Sequence, residues 1–137
     1  MDGKFIRAAL AAKGQNVSLK DCRRLLVRTA ESIKAVARGD IRRKAKQVNH
    51  FCNKPEGLDD NAVEAEVDGW FDGLAMNEDT VLRVFPGKEL LKAVRAQISA
   101  DHHVDIRDSD LRGVLTRDRI APDLRQILEK IAAAKNA

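Results

Sequence analysis

A chain of 137 residues with 44% hydrophobic and 34% charged residues is long enough to bury a core without disulfide or metal staples. Its formal net charge of +4 excludes little by itself, and with 4 Phe, 1 Trp and no Tyr the core must be built from Leu, Ile, Val and Ala, which suits packed helices. No apolar run approaches the roughly 18 residues needed to span a bilayer. The short stretch from Phe5 to Ala12 carries Arg7 and shows no clear cleavage site, so it does not read as a signal peptide and a cytoplasmic location is expected.

Lys4 to Lys13 reads as a short helix with Phe5, Ile6, Ala9 and Leu10 on one face, stopped by Gly14 in a left-handed cap position. Ser18 then starts the longest segment of the chain. It is suited to the N-cap, with Asp21 three residues on and Val17 and Cys22 placed for a hydrophobic staple. Leu19, Cys22, Leu26, Ile33, Ala37, Ile41, Val48 and Cys52 recur at spacings built from threes and fours, the mark of one helical face. Because this stripe keeps its phase across Gly39, the spacing predicts one long amphipathic helix over 18–52, with the glycine as the place for any kink. The run Asn53-Lys54-Pro55-Glu56-Gly57 ends it.

Asp59-Asp60-Asn61 opens the next helix, with Val63, Val67, Trp70, Phe71 and Leu74 on its apolar face and Glu64, Glu66, Asp68 and Asp72 beside them. Gly69 and Gly73 either admit a close neighbour or loosen this helix. Met76 to Thr80 reads as a loop, and Val81 to Phe85 has an extended look. Pro86 leads a helix with Leu90, Leu91, Val94 and Ile98 inward. Asp101-His102-His103 reads as a loop and Ser109 caps a short helix. Pro122 leads the last helix, with Leu124, Ile127, Leu128 and Ile131 facing in.

Charge is segregated along the chain. Residues 1–55 carry a net +10, residues 56–81 hold nine acids and no base, and residues 82–137 carry a net +3. Two consequences follow. The basic helix can neutralise phosphates, with Arg23, Arg24, Arg38, Arg42, Arg43, Lys44 and Lys46 as the candidate contacts to DNA or RNA. Alternatively the acidic block lies against the basic one and hides that signal. Stacking of single strands finds little support, because the basic segment holds only Phe51 as an aromatic.

Trp70 and Phe71 are adjacent, so only one can point fully into a core. The other, rimmed by Asp68 and Asp72, is a candidate anchor for a protein partner. Cys22 and Cys52 both fall on the apolar stripe and read as buried free thiols. His50 with Cys52, and His102-His103 with Asp105, lack the spacing of a structural zinc site. No nucleophile elbow, phosphate-binding glycine loop or metalloprotease helix is present, so neither an enzyme nor a cofactor is expected.

The expected fold is all-α: a single domain over 1–137, a compact bundle of five or six helices around the helix at 18–52. The expected function is non-enzymatic binding, of nucleic acid through the basic helix or of a protein through the acidic helix with Trp70, and without a membrane.

Overall fold

The computed structural model describes residues 3–52, 59–114 and 121–135, with the backbone alone described at 50–52, 112–114, 121–122 and 131–135. Among these the chain is all-α, with seven α-helices and one 3-10 helix and no strand. In chain order they are α1 (Gly3–Ala12), α2 (Leu19–Ser32), α3 (Lys34–Cys52), α4 (Asp60–Asp72), α5 (Glu78–Val84), α6 (Gly87–His102), a 3-10 helix (Asp108–Val114) and α7 (Ala121–Lys135). None is long and apolar enough to cross a membrane. The helices gather into two compact units, one drawn from residues 1–34 and 76–117, the other from residues 35–75 and 118–137.

The expected single helix over 18–52 is two helices, broken at Ile33 rather than at Gly39. The reason is local. In an unbroken helix the Ile33 N–H would reach the Thr29 carbonyl. The Ser32 hydroxyl takes that carbonyl instead, at 2.6 Å, and the Ile33 N–H turns to Ala30 O at 3.1 Å. Back-bonding of this kind competes with the helix and bends it. Ile33 leaves the helical region, with φ −111° and ψ 20°. Gly39 stays helical inside α3. The buried rows also differ on the two sides of the break. α2 buries Cys22, Leu25, Leu26, Thr29 and Ala30, whereas α3 buries a row of strict fours, Ala37, Ile41, Ala45 and Asn49.

In the first unit α2 is the central element, packed against α1, α5 and α6, while α1 and α6 also meet the 3-10 helix. Ser18 caps α2 as expected, accepting the Asp21 N–H at 3.1 Å. Gly14 holds the expected left-handed turn at φ 79°. Gly3 is needed for close approach, since a Cβ there would stand 2.8 Å from Arg23 Cγ on α2. Ile6, Leu10, Leu26, Leu90, Ile98 and Leu111 are wholly buried. Phe5 departs from the expected inner face and stands 46% exposed.

Residues 78–84, expected as loop and extended chain, form α5. Asn77 caps it by accepting the Thr80 N–H at 3.0 Å, and Glu78 and Asp79 sit in its first turn. That capping outweighs the β-propensity of Val81 and Val84, whose side chains are buried. The expected loop at 101–103 is the end of α6, which runs to His102 and stops at His103 in the left-handed region.

In the second unit α4 packs closely against α7, burying Val63, Val67 and Phe71 on one and Leu124 and Leu128 on the other. Gly69 admits no close neighbour, since a Cβ there would meet nothing within 4 Å. Cys52 and Ile131 were expected to face inward; their side chains lie outside the described residues.

Candidate functional site

Within the second unit, α3 and α4 are joined by a ladder of ion pairs. Arg38 pairs with Asp72, Arg42 with Asp68 and Lys46 with Glu64. The cations rise by four residues along α3 while the carboxylates fall by four along α4. Residues four apart share a helix face, so this order is that of two antiparallel helices. The buried rows Ala37, Ile41, Ala45 and Val63, Val67, Phe71 lie one residue from the ionic rows and in the same register.

The central rung is the most specific. The Arg42 guanidinium grips Asp68 with both prongs, Nε donating to Oδ1 at 2.7 Å and Nη2 to Oδ2. That hydrogen bond holds the Asp68 carboxyl below the usual carboxylate range, helped by the charges of Arg42 and Arg38 against the cost of desolvation. It also raises Arg42 further above its already high value. At the next rung Arg38 lies over the Phe71 ring, 5.6 Å from its centroid, as well as against Asp72.

The remaining candidate phosphate contacts also have acidic neighbours. Arg43 and Lys44 converge on Asp40, at 2.6 and 3.0 Å. Arg23 Nε meets Glu78 Oε2 at 2.9 Å, and the other oxygen of Glu78 accepts the Gly3 N–H at 3.2 Å, tying the starts of α1 and α5 to α2. Among the described residues Arg24 meets Asp21, at 3.9 Å with both side chains mostly exposed. Of the seven candidates, Arg23 and Arg24 stand in the first unit and the other five in the second. The candidate protein-binding residues Asp68 and Asp72 are the partners of Arg42 and Arg38, and Trp70 is half-buried beside a fully packed Phe71.

Sequence reasoning missed a second set of cations. On the first unit Lys4, Arg7, Lys13 and Lys20 are exposed, and among the described residues none of them forms an ion pair. Arg28 by contrast is held by Asp101 at 2.7 Å and Arg95 by Asp108 at 2.7 Å. Divided by unit, the formal charge is +5 over residues 1–34 and 76–117 and −1 over residues 35–75 and 118–137. The dense run Arg42-Arg43-Lys44 drew attention because it is contiguous in sequence. Uncompensated charge depends on where the acids fall in space, which contiguity does not reveal.

Cys22 is wholly buried, and burial pushes its thiol up, partly opposed by the charge of Arg7. Among the described residues no three His, Cys, Asp or Glu side chains come together to hold a metal ion, and the side chains of His50 and Cys52 lie outside them. Compared with known proteins, the chain matches no family model, no curated protein and no solved structure.

Proposed function

We propose that this protein is a non-enzymatic binder of nucleic acid that contacts phosphates through the first unit, by Lys4, Arg7, Lys13 and Lys20 with Arg24 beside them. One observation supports this reading above the others: the unit carries +5, and these four exposed cations are uncompensated among the described residues, while the row on α3 is occupied by α4. A phosphate approaching Lys4 or Arg7 meets no ion pair among the described residues. One approaching Arg42 must displace the Asp68 carboxylate from a two-pronged hydrogen bond. Each phosphate neutralised on duplex DNA lowers the slope of log affinity against log salt by about 0.9, so four contacts give a slope of about −4.

The test is anisotropy of labelled DNA and RNA at 50 to 200 mM salt (roughly the range over which such affinities collapse). The double substitution Lys4→Glu with Arg7→Glu is expected to reduce affinity and flatten the slope. Absence of binding to either nucleic acid at the lowest salt overturns the reading.

A second reading rests on Trp70, which remains partly exposed on α4 while its neighbour Phe71 is only 1% exposed. In that reading the chain is a protein-interaction module with the indole as anchor. Partner capture that survives Lys4→Glu with Arg7→Glu but is lost in Trp70→Ala distinguishes it.

A further inference from the structure

We infer that α4 is an intramolecular cover over a second phosphate-binding row, formed on α3 by Arg38, Arg42 and Lys46, and that DNA gains these three contacts only when the carboxylates of α4 release them. This rests on the reading that the chain binds nucleic acid, and it adds a place where that binding is held back.

The three cations recur every fourth residue, so successive charges stand about 6 Å apart along α3. Each meets one carboxylate of α4, in the order Asp72, Asp68, Glu64. A row of acids at the same interval on an antiparallel helix offers α3 an ordered series of anions. A nucleic-acid strand offers the same feature through its regularly spaced phosphates. The neighbouring cations Arg43 and Lys44 are held differently, by Asp40 of α3 itself at 2.6 and 3.0 Å. The pairing with α4 is therefore specific to one row.

The cover is fastened in a way that a competing anion can undo. The six side chains of the ladder keep 24 to 52% of their surface exposed, so solvent and ions reach every rung. Ion pairs this exposed contribute little to stability. The close packing of α4 is with α7, where Val63, Val67 and Phe71 are buried on one helix and Leu124 and Leu128 on the other. Arg42 grips both oxygens of Asp68, so the central rung sets most of the resistance to release. Neutralising Glu64, Asp68 and Asp72 changes the formal charge of this unit from −1 to +2.

The experiment is anisotropy of a labelled DNA duplex over 50 to 200 mM salt (roughly the range in which phosphate contacts are read). It compares the intact chain with the triple variant Glu64→Gln, Asp68→Asn and Asp72→Asn. A control, Asp59→Asn, Asp60→Asn and Glu66→Gln, makes the same change in charge on exposed acids that form no ion pair among the described residues. The ladder variant is expected to bind more tightly at the lowest salt, with its slope of log affinity against log salt steeper by about 2.7, which is 0.9 for each of three phosphates. The control is expected to keep the slope of the intact chain. Adding Arg38→Gln, Arg42→Gln and Lys46→Gln to the ladder variant is expected to remove the gain. Circular dichroism melts fix a temperature at which each variant is folded. If the triple variant does not fold, Glu64→Gln alone frees one cation, and a slope steeper by about 0.9 is expected. A folded ladder variant with an unchanged slope, or a control that steepens equally, overturns the cover and leaves the reading of the first unit standing. If neither the intact chain nor any variant binds DNA, the functional reading fails and the cover with it.

Discussion

His103 ends α6 at φ 55° and ψ 35°, where its N–H reaches back to Ser99 O at 3.0 Å. An L side chain in this left-handed region costs about 1 kcal/mol or more that glycine does not. His103→Gly is therefore expected to raise stability by about 1 kcal/mol in a denaturant titration. Thr29 presents the opposite case. It is 2% exposed, and its hydroxyl finds no hydrogen-bond partner among the described residues. Replacing a buried, unpaired hydroxyl by a methyl of the same shape removes a desolvation cost, so Thr29→Val is expected to stabilise by about 1 kcal/mol. Neither feature was legible in the sequence. Histidine pairs and helical threonines are common, and only the backbone angle and the surroundings single these two out.

At the scale of elements, the α3–α4 ladder makes acid a specific threat. The folded pKa of Asp68 is depressed by its hydrogen bond to Arg42. A depressed carboxyl contributes stability that is fully present above its unfolded value and is lost as pH falls through the folded one. The thermal midpoint is thus expected to drop on acidification below about pH 4, near the ordinary carboxylate range. In Asp68→Asn the midpoint at neutral pH is lower and the drop is shallower; an unchanged acid limb would show that the pair does not contribute. The spacing of this ladder was partly legible. Arg38, Arg42 and Lys46, like Glu64, Asp68 and Asp72, are rows of fours in the sequence, and the acidic block was recognised as a possible cover. Which carboxylate meets which cation depends on the antiparallel register, and that is a property of the two helices together.

For the whole molecule the charge map decides where a polyanion can land. If Lys4 and Arg7 are free to bind and Arg42 is committed to the fold, their substitutions must have opposite consequences. Lys4→Glu with Arg7→Glu is expected to cut nucleic-acid affinity about tenfold or more at low salt, as expected for two lost and reversed phosphate contacts, and to leave the melting midpoint unchanged. Arg42→Glu is expected to lower the midpoint, because it places an acid against Asp68, and to leave affinity near that of the parent where the chain remains folded. Anisotropy and melting curves on the same preparations check both arms. Loss of affinity in the second variant at a temperature where it is folded would return the phosphate contacts to α3.

By itself the sequence determined that the chain is all-α, where most helices begin, and most of the apolar positions that become buried. These follow from caps and periodicity, which are properties of a few consecutive residues: Ser18 accepts from Asp21 whatever else the chain does. The break at Ile33 is local too, the Ser32 hydroxyl taking the Thr29 carbonyl, but the periodicity of the stripe from Leu19 to Cys52 does not reveal it. Tertiary structure decided the rest. The two halves then joined different units, Arg23 and Arg24 in the first and Arg38 to Lys46 in the second. Charge acts through space, and the acids that neutralise Arg38, Arg42 and Lys46 arrive from 18 to 34 residues away along the chain. No local pattern could say that they would.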